Sequence, residues 1–185
     1  MKCGEIEMER VKKYIGVFIK LGVLVAILVW LPMSLKLGLL AGAIAAIKSA
    51  VIWTIIMALF FVPADYFSTR RLPPEALKLQ HERELRVSGS REQVFEKCHA
   101  VLESLPFIKA VTSTNGGAQL SAKTKMSLAS FGEAIELTFK IQDKNAVAIL
   151  VSSRPAVRYT LLDFGKNFRN VEQIAAALNK HFKAG

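Results

Sequence analysis

A two-helix transmembrane hairpin followed by an α+β domain is the fold class the sequence predicts. The domain reads β-α-β-β-β-β-α, a mostly antiparallel sheet with two helices on one face. Three observations carry this. Residues 14–62 are almost continuously apolar. That run breaks once, at Leu31-Pro32-Met33-Ser34-Leu35-Lys36. From Glu84 onward, period-two alternation and amphipathic stretches of helical period replace it. A chain of 185 residues holds one such domain and a membrane element. The predicted segments are an N-terminal cytoplasmic tail (1–13), the hairpin (14–62), a juxtamembrane linker (63–82) and a cytoplasmic α+β domain (83–185).

The first apolar run, Tyr14 to Met33, has about 20 residues, enough for a hydrocarbon core of roughly 30 Å. Pro32 lacks a donor and Lys36 favours water, so the chain is expected to turn there. The second run, Leu37 to Val62, ends at Pro63-Ala64-Asp65. Glu5, Glu7 and Glu9, with a second apolar run following at once, argue against a cleaved signal peptide. Arg10, Lys12 and Lys13 precede the first helix and Arg70, Arg71 and Lys78 follow the second, whereas the turn has only Lys36. The positive-inside rule then places both termini in the cytoplasm and the hairpin in the inner (plasma) membrane as a multi-pass element.

Lys20 and Lys48 interrupt the apolar runs. Counted from a turn near residue 34, each lies about 14 residues away, which would set both at one depth, roughly 21 Å from the turn. Either they snorkel to the inner headgroups, or they line a contact for an anionic lipid, cofactor or subunit. A hairpin that enters one leaflet would leave both at its surface. Gly38, Gly42 and Ala46 recur every four residues, and Ser49 extends the stripe. Small residues so spaced admit another helix backbone, either the chain's own first helix or another subunit.

In the linker, Pro63, Pro73 and Pro74 mark a connector, and Glu75 to Arg83 reads as a short helix. Trp53, Tyr66, Phe67 and Arg70 suit an interfacial anchor, and Arg70 and Arg71 suit contact with anionic headgroups. Glu84 to Ser88 alternates as a strand. Ser90-Arg91-Glu92-Gln93 is a capping box that opens a helix with Val94, Phe95, Cys98, Val101, Leu102 and Leu105 on one face; Pro106 stops it. Strands follow at Ile108 to Thr114, Gln119 to Met126, Glu133 to Gln142 and Ala146 to Ser153, the last apolar on both faces and so placed centrally. Asn115-Gly116-Gly117 and Asp143-Lys144-Asn145 are the turns. Val157 to Leu161 reads as a further short strand. Asp163 and Asn167 are competent caps for a closing helix whose apolar face holds Phe164, Phe168, Val171, Ile174, Ala175, Leu178 and Phe182.

This order, with a long helix last, resembles the small bacterial helix-grip domains related to START and Bet v 1-like proteins. The resemblance rests on Ser88–Ala100, on Lys125-Met126-Ser127 to Ser130-Phe131-Gly132-Glu133, and on Asp163-Phe164-Gly165-Lys166-Asn167 to Asn170-Val171. It covers the C-terminal half only. It implies a sheet gripping a long helix, and in full-size relatives an apolar cavity for a lipid-like ligand; this half is short for a large one.

Catalytic patterns are not found. His81, His99 and His181 lack metal-ligand spacing with a Cys or carboxylate. Asp163-Phe164-Gly165 spells a kinase triplet without the glycine-rich or catalytic loops. Ser152-Ser153-Arg154 and Asn115-Gly116-Gly117 form neither a nucleophile elbow nor a phosphate loop. No enzyme activity and no cofactor are expected. Cys3 and Cys98 give no disulfide framework and fit a reducing compartment. The net charge of +10 arises in both halves of the chain. It suits anionic headgroups or an acidic partner. Outward strand positions Arg86, Gln119, Ser121, Lys123, Lys125, Glu136, Thr138 and Lys140 make a basic sheet face. That face lacks the aromatic platform of single-strand readers, so nucleic acid is not expected.

The expected function is a non-catalytic, membrane-anchored assembly module, a homo-oligomer or a subunit of a membrane complex. Its interfaces would be the small-residue stripe (Gly38, Gly42, Ala46, Ser49) and the cations Lys20, Lys48, Arg70, Arg71, Arg86, Lys123, Lys125 and Lys140. The alternatives are an apolar-ligand or lipid binder held at the membrane, and a small channel or transporter subunit.

Overall fold

The computed structural model describes residues 3–114, 117–126, 130–143, 146–157 and 159–183. The chain divides into two compact units, Met1–Leu77 and Lys78–Gly185.

The first unit is a helical hairpin, α1 (Cys3–Leu37) against α2 (Leu39–Thr69). Both helices are long and apolar enough to cross a membrane. A single residue joins them: Gly38 at φ 85°, a backbone region that glycine enters without steric penalty. The turn was expected near Pro32. Instead α1 runs through Pro32, and α2 runs through Pro63 to Thr69, so residues 63–69 are helix rather than connector. Each proline deletes one backbone donor, a loss that a long apolar helix with a packed neighbour tolerates. Residues 3–13, expected as a tail, belong to α1.

A 3-10 turn, Pro74–Leu77, replaces the short helix expected over Glu75 to Arg83. Residues 81–83 are drawn into the sheet because β1 (His81–Ser88) pairs along its whole length with β5 (Ala146–Pro155). Between them come α3 (Arg91–Ser104), β2 (Ile108–Thr114), β3 (Gln119–Thr124) and β4 (Glu133–Asp143); α4 (Lys166–Lys183) closes the chain. The sheet order is β1-β5-β4-β3-β2 with every pair antiparallel. β5 is internal, as its two apolar faces require, although β4 holds the middle place.

The capping box of α3 forms in full: the Gln93 amide donates to Ser90 Oγ, and the Ser90 amide to Gln93 Oε1, both at 3.3 Å. Leu120, Ile135, Leu137 and Ile149 line the inner sheet face. Against them pack Val94, Cys98 and Leu102 of α3 and Ile174 and Leu178 of α4, all fully buried. Val157 to Leu161 is not a strand. Pro155 ends β5, and the Thr160 amide turns back onto the Val157 carbonyl at 3.1 Å; Arg158 lies outside the described residues. β3 stops at Thr124, short of Met126. Residues 115 and 116 of the first expected turn, and 144 and 145 of the second, also lie outside the described residues.

Candidate functional site

At one end of the sheet, the inward-facing apolar rows of β3, β4 and β5 each finish in a polar residue. Thr124 follows Leu120 and Ala122, Glu133 precedes Ile135 and Leu137, and Ser153 follows Ile149 and Val151. The start of α4 covers them with Lys166, Asn167 and Asn170. Glu133, Asp163, Ser153, Asn167, Thr124 and Asn170 are all buried.

Their hydrogen bonds form one chain. Asp163 begins it as the cap of α4: Oδ1 accepts from the Gly165 amide at 3.2 Å, and Oδ2 from the Asn167 amide at 3.0 Å. Phe164 at φ 54° and Gly165 at φ 71° curl the backbone to make this possible. A phenylalanine in this region carries roughly 1 kcal/mol of strain that the surroundings must hold. Asn167 Nδ2 also donates to Asp163 Oδ2 at 3.0 Å, and Asn167 Oδ1 accepts from Ser153 Oγ at 2.7 Å. Asn170 Nδ2 bridges Ser153 Oγ and Glu133 Oε2, each at 3.4 Å. Glu133 Oε2 faces Lys166 Nζ at 3.4 Å and accepts from Thr124 Oγ1, while its Oε1 accepts from Ser130 Oγ. Gly132 sits at φ 92°, a backbone region that favours glycine, and a Cβ there would also crowd the Thr124 carbonyl at 3.2 Å.

A buried carboxylate is tolerated only when its lone pairs are filled and its charge is countered. Glu133 meets both conditions. The network therefore ties the β3–β4 and β5–α4 connections to the body of the domain. Among the described residues, no three His, Cys, Asp or Glu side chains stand close enough to hold a metal ion. Cys98 lies in the apolar core, where burial pushes its thiol up to about 12; it stays protonated and unreactive at neutral pH.

The hairpin has a polar centre of its own near its open end. Lys13 Nζ contacts both oxygens of Asp65, at 3.1 and 3.0 Å, and Tyr14 OH donates to Asp65 Oδ2 at 2.9 Å. Arg10 donates to Thr69 Oγ1 at 2.7 Å and to its carbonyl at 3.0 Å, and its guanidinium lies over the Tyr66 ring. Asp65 and Thr69 are fully buried.

Of the stripe, Gly42 and Ala46 are buried in the hairpin, Ser49 is half-buried and Gly38 is exposed at the turn. A Cβ on Gly42 would fall 2.6 Å from the Ser34 backbone of α1. Lys20 and Lys48 are exposed on the helices, but not at one depth. Gly42 faces Ser34, and Gly22 faces Thr54. That register sets Lys20 opposite Ile56 and Lys48 opposite Leu28, about 12 Å apart along the axis. The difference arises because the turn sits at Gly38 rather than near residue 34. Arg70 lies over the Phe67 ring at 5.0 Å, and Arg71 is exposed. Arg86 and Lys140 flank Ala148 on the outer sheet face, and Lys123 lies farther along it. Arg86 pairs with Glu84 at 3.3 Å, and Lys125 donates to the Pro106 carbonyl at 2.8 Å.

The buried network was not foreseen from the sequence. Ser130 to Glu133 and Asp163 to Asn170 stood out only as stretches of resemblance and as caps. The available signal was a polar residue at the same end of the inward rows of β3, β4 and β5, continued by Asn167 and Asn170 on the apolar face of α4.

No curated protein matches the chain. Similar solved structures include a START superfamily protein from Mycobacterium smegmatis, 11% identical, covering 57% of this chain and 97% of that one with a TM-score of 0.39. Another is XoxI from Bacillus cereus, 15% identical over 57% of this chain and 96% of that one, TM-score 0.36. The di-domain aromatase/cyclase StfQ of the steffimycin biosynthetic pathway is 14% identical over 78% of this chain and 60% of its own, TM-score 0.37. The family described as protein of unknown function (DUF1499) matches residues 66–178, more than half of the chain, and the protein belongs to that family.

Proposed function

We propose that the protein is a non-catalytic interaction module anchored in the inner membrane by its hairpin, with both termini and the α+β domain in the cytoplasm. One observation carries the anchoring: apart from Lys20, Lys36 and Lys48, the exterior of the hairpin between Ile15 and Phe61 is dominated by exposed apolar side chains. Leu24, Leu28, Leu31, Leu40, Ile47, Leu59 and Phe60 all expose more than half of their surface. Helices with such an exterior are stable in lipid and aggregate in water. The non-catalytic reading draws on the burial of Glu133 and Asp163, each of whose oxygens accepts a hydrogen bond from within the domain. The outer sheet face, with Arg86, Lys123 and Lys140, is the surface offered to an acidic partner subunit. An apolar-ligand role has less support, because among the described residues Val94, Cys98 and Leu102 of α3 and Ile174 and Leu178 of α4 pack directly into one core with the sheet.

Reporter fusions at residue 8 and at the C-terminus test the anchoring and its direction together. Both should report cytoplasm. A C-terminus on the far side of the membrane would overturn the orientation, and release of the chain by alkaline wash would overturn the anchor.

A further inference from the structure

The α+β domain exposes five large apolar side chains among its described residues, and four of them lie at one end of the sheet. Met126 and Phe131 border the β3–β4 connection, exposed by 71% and 68%; Val157 and Tyr159 border the β5–α4 connection, exposed by 40% and 86%. The two connections touch, with the Ala156 amide donating to the Gly132 carbonyl at 3.0 Å. Ile141, the fifth, is at the opposite end, beside the β4–β5 turn.

β1 begins at the same end as the four, since His81 pairs with Ser153 near the close of β5. The chain arriving from α2 therefore enters the domain beside them. Residues 70–80 alone separate α2 from β1, and that stretch spans at most about 40 Å. An exposed cation flanks the apolar tips: Lys125 stands beside Met126 and donates to the Pro106 carbonyl, while Arg154, just ahead of Val157, is paired with Glu136 at 3.0 Å. Aromatic and aliphatic tips with a cation beside them match the headgroup layer of an anionic bilayer. Hydrogen bonds of Ser130 to Glu133, of Ala156 to Gly132 and of Gly165 to Asp163 fasten the described ends of both connections.

We infer that this end of the domain docks on the anionic surface of the bilayer that holds the hairpin, with Met126, Phe131, Val157 and Tyr159 at headgroup level. The inference rests on the membrane-anchored reading above. It assigns lipid contact to the connection end and leaves the outer sheet face free for other partners.

The test uses the full chain with Cys3→Ser, reconstituted in phosphatidylcholine–phosphatidylglycerol vesicles. A fluorophore is attached at Phe131→Cys, Tyr159→Cys, Ile141→Cys or Leu28→Cys. Quenching by headgroup-proximal spin-labelled lipid is read at 131, 159 and 141, and quenching by lipid spin-labelled near mid-chain is read at 28, about 15 Å from the turn. Labels at 131 and 159 should be quenched about twofold or more above the label at 141, and less so when phosphatidylcholine replaces phosphatidylglycerol. If the label at 28 is quenched and those at 131 and 159 are not, the docking inference falls while the anchor stands. If the label at 28 is also unquenched, the anchor falls and the inference with it. Labels at 131 and 159 shielded from both lipid and aqueous iodide would mean a protein partner or second copy covers this end, which overturns the inference.

Discussion

Glu133 is buried beneath Asn170 and beside Lys166, with hydroxyls of Thr124 and Ser130 on its oxygens. Removing it takes one partner each from Thr124, Ser130, Asn170 and Lys166 and opens a gap in a buried network. Glu133→Ala should therefore destabilise the domain by about 3–5 kcal/mol, the range for breaking a buried pair. Glu133→Gln keeps the volume and an amide oxygen in place of the carboxylate, and should lose about 1–3 kcal/mol. Chemical denaturation followed by circular dichroism separates the two. Equal, small losses would mean that the network does not hold the connections.

At the scale of the element, the hairpin is the sharper case. Small residues admit close approach of a backbone, and in this protein the backbone is that of α1. Gly42→Leu would drive its Cβ into the Ser34 backbone, with no flexible side-chain end to yield. It should loosen the hairpin by about 1–3 kcal/mol, the usual effect of overpacking. Leu39→Ala, at a position 71% exposed, should change little. Steric trapping or thermal unfolding in detergent measures both. An unchanged hairpin in Gly42→Leu would show that the helices separate easily at the turn and that the stripe is open to another chain. At the other end, Asp65 draws Lys13 and Tyr14 together across the helices. The two locks, one steric and one ionic, set the register between them.

For the whole molecule, the α+β unit is closed on a hydrophobic core of its own. The capping box, alternating strands and amphipathic helices of residues 78–185 agree with one another, the mark of a self-supporting fold. Residues 78–185 produced without the hairpin should give a soluble monomer with mixed helix and strand signal by circular dichroism and a single size-exclusion peak. An unfolded or aggregated fragment would mean that the domain depends on the membrane or on a partner for its stability.

Local pattern was enough to read the two apolar helices, the capping box at Ser90 and Gln93, the alternation of β3 and β4, and the closing helix, because each is encoded by residues a few positions apart. Where the chain turns was not so encoded: Pro32 and Pro63 stay within helices because a packed neighbour outweighs one lost hydrogen bond. The pairing of His81 with Ser153 likewise overrode the helical reading of the connector. The buried network lies furthest from sequence reach. Thr124, Glu133, Ser153, Asn167 and Asn170 are ordinary surface polar residues in one dimension, and they become a site only when three strands and a helix end at the same place. Partners up to 37 residues apart, as Glu133 and Asn170 are, meet through tertiary packing and not through any local propensity.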